Sequence, residues 1–331
     1  MTKKVTISDV AQQVGVSKSA VSQYINGNYQ KVSKQTRIKI QKAIEDLNYR
    51  PSKQAQFLTT KRSKLIGVVV ADISNMYSSL LLKGISQYFE STNYQLIIVE
   101  AANSETKERE VLQKLIDQNV EGIIIQPSNY YKNQYEIVER YNIPMVFVDR
   151  EIKDSPWTSV TTDNKQSVEI VMNEVIKKKY NNIIIVSEPI SHVKTREIRF
   201  QTIVDVAKVN KIDCTLIEID KDHPLNISMF TQLFNRGKTV VFALNGTVLL
   251  KVLKLFKKNK IIIPKQTGLT GFDDLNITEI TEPAITSIIQ PSKLIGETVA
   301  EYLHLILQGH EPKNISIKNI IKSDIMWRDS L

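Results

Sequence analysis

The chain has 331 residues, 42% of them hydrophobic, one cysteine and a formal charge of +9. That length predicts two or three soluble domains with ample core material, while the lone Cys214 excludes an internal disulfide framework or a cysteine-based metal site and suits a reducing cytoplasm. No apolar segment follows Met1-Thr2-Lys3-Lys4, so no secretory signal is expected, and apolar runs such as residues 65–71 are far too short to span a bilayer.

The charge is not spread evenly. Residues 1–62 hold twelve Lys and Arg against three Asp and Glu, and the remaining 269 residues hold 32 of each. A small basic head on a neutral body is what a chain needs when one part meets a polyanion and the other does not. The head also carries ordered apolar spacing, which a solvated basic tail lacks.

Three short helices are predicted in the head. Thr6 with Asp9 makes a capping-box start, and Ile7, Val10, Ala11 and Val14 then share one face. Gly15 supplies the turn. Ser17 caps a second helix with Ala20, Val21 and Ile25 inside and Lys18, Ser19, Ser22 and Gln23 outside, and Asn26-Gly27-Asn28 stops it. Ser33 caps a third helix with Ile40, Ala43, Ile44 and Leu47 facing in, and Pro51 closes the unit. Two helices joined by a tight glycine turn, the second showing short polar and basic side chains, form a helix-turn-helix suited to the major groove. A generic three-helix bundle gives the same spacing.

The run VTISDVAQQVGVSKSAVSQYING, followed by VSKQTRIKIQKAIEDLNYRP, resembles the DNA-binding head of the lactose/galactose repressor (LacI/GalR) family over about fifty residues. The resemblance implies base reading by Lys18, Ser19 and Gln23, with Gln23 standing where arginine is common. The DNA-contacting set expected is Thr6, Ser17, Lys18, Ser19, Ser22, Gln23, Asn26, Lys31, Thr36, Ala55 and Leu58. The connection GNYQK is similar to that of regulators of 2-keto-3-deoxygluconate utilisation in Gram-positive bacteria.

Ser52 can cap two helical turns over 52–60, too short to be stable alone. Its plain reading is a linker. The resemblance implies a hinge helix that orders on DNA beside its twin in a dimer, with Ala55 at the close contact and Leu58 wedged into the minor groove.

From Lys64 the rhythm changes to short β-branched runs alternating with amphipathic stretches: KLIGVVVA, QLIIVE, EGIIIQ, PMVFVD, NIIIVS, TLIEI, TVVFAL and TGLTGF. These predict buried parallel strands alternating with helices, and nine or ten strands exceed one doubly wound sheet. The fold class expected is α/β: a helix-turn-helix head, then a core of two lobes built on doubly wound parallel sheets. Expected boundaries are a head over 1–51, a hinge or linker over 52–62 and a core over 63–331. Lobe 1 takes about 63–160 and 292–322, and lobe 2 about 161–291 and 323–331. The order of motifs, ending in FALNG, GFDD and ITSIIQP, resembles the family's effector-binding core, which is similar to periplasmic sugar-binding proteins.

Ligands bind such sheets at the carboxyl ends of strands. Polar residues there are Asp72, Ser74, Asn75 and Tyr77 after the first strand, Asp149 and Arg150 after the fourth, Arg199 at the opening of a helix, Asn245 after VVFAL and Asp273 after TGLTGF. Each alone reads equally well as a cap or loop residue. Ser74, Asn75, Tyr77, Asp149, Arg150, Arg199, Asn245 and Asp273 are the candidate effector-binding set, with Arg199 as the clamp for a carboxylate or hydroxyls. DSPWTSVTTDN and VSEPISHVKTREIR resemble ketodeoxygluconate-type regulators, which implies a sugar acid, with a neutral sugar as the second choice. His192 and Lys194 stand near the same mouth.

The sequence shows no P-loop, no G-x-S-x-G, no dinucleotide fingerprint and no metal-ligand spacing among its four histidines. The expected protein is therefore no enzyme. It is expected to be a cytoplasmic, effector-controlled transcriptional regulator: a repressor without cofactor or metal, binding palindromic double-stranded operator DNA as a homodimer under control of a small sugar or sugar-acid effector, away from any membrane. A transport binding protein, the alternative, is disfavoured by the basic head. No leucine heptad follows the core, which points to a dimer without a tetramerisation tail.

Overall fold

Two units make up the chain, Met1–Ser63 and Lys64–Leu331. The computed structural model describes every residue except 1–4, 52–56, 58–59, 130, 153–154, 192 and 273–275.

In the first unit, helix α1 spans Ile7–Val14. The Asp9 carboxylate accepts from both the Thr6 N–H and the Thr6 hydroxyl at 2.7 Å, which satisfies donors at the helix start. Gly15 ends it at φ +74°, a left-handed conformation that costs glycine little, and its N–H bonds back to the Ala11 carbonyl. Helix α2 spans Lys18–Ile25 and α3 spans Lys34–Asp46; Ser17 accepts from the Ala20 N–H and Ser33 from the Thr36 N–H. Val10, Ala11, Val21, Val32, Ile40 and Ala43 are buried between them. Ala20, expected inside, is only half-buried, and Tyr24 and Val32 supply packing that the helical spacing had not assigned.

The second unit contains two six-stranded sheets. In the first, β1 (Leu65–Val70), β2 (Gln95–Glu100), β3 (Gly122–Ile125), β4 (Met145–Val148), β5 (Ser159–Thr162) and β11 (Ile320–Ile321) run parallel in the order β11-β5-β4-β3-β1-β2. The second holds β6 (Asn182–Ser187), β7 (Asp213–Glu218), β8 (Thr239–Ala243), β9 (Gly268–Phe272), β10 (Thr286–Ile289) and β12 (Asp324–Met326). Its order is β12-β10-β9-β8-β6-β7, parallel except for the antiparallel β12.

Period-two alternation divides each strand between two cores. Val68, Ile124 and Val146 face one core of the first sheet, where helices α4 (Met76–Phe89) and α9 (Ser292–Leu307) pack. Val69, Ile123, Ile125 and Phe147 face the other, against α5 (Glu105–Asp117). In the second sheet Ile183, Ile185 and Phe242 face α6 (Asn164–Lys177) and α7 (Lys194–Val209), and Ile184, Val241 and Ala243 face α8 (Gly246–Lys258). Helices α4 and α9 approach backbone to backbone: a Cβ on Gly84 would stand 2.0 Å from the Lys293 carbonyl oxygen, and one on Gly296 2.2 Å from that of Leu81.

The chain passes between the sheets three times, after β5, before α9 and between β11 and β12. The first crossing follows β5, which ends at Thr162. Two of the passages are tied, the Asp163 carboxylate accepting from the Ser323 N–H at 2.8 Å.

Candidate functional site

The two sheets present the carboxyl ends of their strands to one cleft, whose empty space including its open mouth is about 620 Å³. In each sheet the lining straddles the place where strand order reverses. Ala71 and Gln126 follow β1 and β3, and Glu188 and Asn245 follow β6 and β8. A ligand is expected at such a switch point, where flanking helices diverge to opposite faces of the sheet.

Helix starts converge there as well. Asn75 caps α4 by accepting the Tyr77 N–H at 3.0 Å, and Asn245 caps α8 by accepting the Val248 N–H at 2.8 Å. Val193, Thr195 and Arg196 bring the start of α7 to the wall. Each helix start carries partial positive charge, which favours an electron-rich ligand.

On the first sheet's side, Gln126 bridges the Ala71 N–H, which donates to its Oε1 at 3.0 Å, and the Asp149 carboxylate, to which its Nε2 donates at 2.8 Å. Asp149 holds φ +66°, a left-handed conformation unusual outside glycine. Arg150 donates to the Pro127 carbonyl at 2.8 Å and to Asn103 Oδ1 at 3.0 Å.

On the second sheet's side Arg199 is 4% exposed and built into the wall. Its Nε donates to Asn164 at 2.7 Å, Nη1 to the Leu244 carbonyl at 2.7 Å and Nη2 to Gln290 at 2.8 Å. Its guanidinium lies 3.5 Å from the Phe272 ring centre, a close cation–π contact. Arg199 also sits in the second turn of α7, not at its opening. Arg196 pairs with Glu188, which also accepts from Asn245 Nδ2 at 3.3 Å. Burial pushes the Arg196 pKa below the ordinary arginine value; Glu188 and Asp149 oppose that shift and Arg150 adds to it.

The cleft thus gathers Asn75, Tyr77, Asp149, Arg150, Arg199 and Asn245. Ser74 stands outside the lining: it is exposed, and its N–H and hydroxyl both donate to Asp72, which does line the cleft. Asp273 and His192 lie outside the described residues. Lys194 pairs with Glu197 at 3.4 Å. Gln126, Glu188, Arg196 and Gln290 were not singled out from sequence, although Gln126, Glu188 and Gln290 each follow a strand directly. The rule that picked out Asp149 and Asn245 applies equally to those three. Among the described residues no cluster of metal-ligating side chains occurs, and no helix is long and apolar enough to cross a membrane.

In the head, Lys18 and Ser19 are exposed on α2, as are Thr6, Ser17 and Lys31, while Ser22, Gln23, Asn26 and Thr36 are half-buried. Gln23 Oε1 accepts from Asn28 at 2.9 Å, and Asn26 donates to Ser22 at 3.3 Å. Ala55 and Leu58 lie outside the described residues.

Residues 6–52 match the lacI family of bacterial regulatory proteins, and residues 66–311 match a periplasmic binding protein domain. The HTH-type transcriptional regulator KdgR of Bacillus subtilis (strain 168) is 35% identical over 98% of this chain and 97% of its own. The HTH-type transcriptional regulator PtxS of Pseudomonas plecoglossicida is 30% identical over 93% of this chain and 91% of its own. In fold, the chain resembles the lac repressor dimer bound to operator and the anti-inducer ONPF, with a TM-score of 0.83 and 21% identity over 99% of both chains. A helix-turn-helix head and a two-sheet core with one polar cleft, matched along nearly their whole length by known regulators, make this chain a DNA-binding transcriptional regulator of the lacI family.

Proposed function

We propose that the protein represses a sugar-acid utilisation operon in the cytoplasm, as a homodimer on palindromic operator DNA, and catalyses no reaction. The observation that carries this reading is the polar cleft at the strand-order reversals of both sheets, in a chain whose relatives include KdgR. Lys18, Ser19 and Gln23 on α2 read bases, with Thr6, Ser17, Ser22, Asn26, Lys31 and Thr36 at or near phosphates. Ala55 and Leu58 belong to the hinge. Asn75, Tyr77, Asp149, Arg150, Arg199 and Asn245, joined by Asp273, hold the effector, and 2-keto-3-deoxygluconate fits the resemblance best. The effector acts by binding one cleft geometry better than another, because only differential affinity shifts an equilibrium.

A neutral sugar is the second reading. Arg150, Arg196 and Arg199 are matched in the lining by Asp72, Asp149 and Glu188, and such balance suits hydroxyls.

Removal of residues 1–63 tests the division of labour. The remaining core is expected to bind effector with the parent's affinity in calorimetry and to lose operator binding in gel shift. Parent operator affinity is expected to fall steeply with salt. Operator affinity retained by the core overturns the assignment of DNA binding to the head.

A further inference from the structure

The described lining of the cleft uses its arginines unequally. Arg199 spends Nε, Nη1 and Nη2 on protein acceptors and stacks on Phe272, all of them on the second sheet's side. Arg150 closes the first sheet's wall, anchored through both terminal nitrogens. Its Nε is buried without a hydrogen-bond partner among the described residues, and the Asp149 carboxylate stands 3.8 Å away. Its side chain is only 9% exposed, so an unmade bond there is costly unless a ligand supplies the acceptor. Arg196 belongs to the other sheet's wall, in the first turn of α7, with its side chain 16% exposed and held by Glu188 and the Pro189 carbonyl.

We propose that Arg150 and Arg196, one from each sheet, together grip the acidic group of the effector, while Arg199 positions the wall and its hydroxyl contacts. This rests on the sugar-acid reading above and assigns its carboxylate. Two guanidinium groups on opposite walls of the cleft repel each other. An anion between them removes that repulsion, gives the Arg150 Nε an acceptor and links the two sheets through one ligand group. Burial chiefly holds the Arg196 pKa below the ordinary arginine value, with the charge of Arg150 adding to it against the raising by Glu188 and Asp149. The start of α7, from which Arg196 projects, adds favourable potential. Arg199 is committed instead to Asn164, the Leu244 carbonyl and Gln290.

The test compares 2-keto-3-deoxygluconate with 3-deoxyfructose, in which a hydroxymethyl group replaces the carboxylate, by calorimetry on the full chain. The parent is expected to prefer the acid by about 10- to 100-fold, the range of a lost charge-assisted hydrogen bond. In Arg196→Gln and in Arg150→Gln that preference falls towards unity, chiefly through weaker acid binding. Arg196→Lys keeps the charge without the planar fork and retains part of the preference, and it stands in if Arg196→Gln melts at a lower temperature than the parent. A parent that prefers the acid while Arg196→Gln and Arg150→Gln keep the full preference overturns the two-arginine grip and leaves the sugar-acid reading intact. A parent that binds both compounds equally overturns the sugar-acid reading, and the grip with it.

Discussion

The head and the core use polar side chains in opposite ways. Lys18 and Ser19 stand exposed on α2, outside a small core that includes Val10, Val21 and Ile40. Arg199 and Arg150 are buried, and each is bonded to groups from distant parts of the chain. In the head, function is displayed on a fold that stands without it. In the core, the groups that face the ligand also hold the walls, so binding and stability share the same side chains.

The largest expected effect follows from that contrast. Arg199→Ala should abolish the effector response and also destabilise the core by roughly 3 kcal/mol, because Asn164, the Leu244 carbonyl and Gln290 lose a charged donor. Lys18→Ala should weaken operator binding and leave the melting transitions within about 0.5 kcal/mol of the parent. Calorimetric unfolding with gel shift checks both, and an Arg199→Ala core as stable as the parent breaks the comparison.

A second effect concerns pH and sharpens it within the core. Burial pushes the Glu108 carboxyl above the usual carboxylate range, against the lowering by donors from Tyr135, Ser128 and Gln134. A group whose folded pKa is raised adds stability that is fully present below its unfolded pKa, about 4.3. That contribution is lost as pH rises through the folded value. The parent core should therefore lose stability relative to Glu108→Gln as pH climbs from about 4. Parallel melting-temperature profiles for the two proteins would remove the assignment.

The smallest effect lies in the head. Asp9→Ala removes the carboxylate that accepts twice from Thr6 and should cost the head about 1 kcal/mol. The core transition should not move, and a shift in it would show that the two units unfold together.

The same contrast explains what was legible in the sequence. The helices of the head follow from local periodicity, and strands β1 to β4 and β6 to β9 from short β-branched runs, which a sequence displays directly; β5 and β10 carry no such run. Strands β11 and β12 have two and three residues, too few to show a period, and they pair with β5 and β10, far away in the chain. Asp149 and Asn245 were readable as strand-end residues. The commitments of Arg199 were not, since its partners lie 35, 45 and 91 positions away. An arginine near a predicted ligand site looks like a clamp until the fold brings its other acceptors within reach.

The passage between β11 and β12 has a consequence for how the protein is made. Residues 320–331 leave the ribosome after the ten other strands of the two sheets, and they supply an edge strand to each sheet. Arg328 and Ser330 from the same stretch bond to Ile285 and Leu269 beneath the second sheet's strands. Until that stretch emerges, both sheets carry an uncovered edge, and the nascent core exposes two templates for wrong strand pairing at once. Completion of both lobes is thereby tied to one short stretch, so a chain without residues 320–331 lacks an edge strand in both lobes.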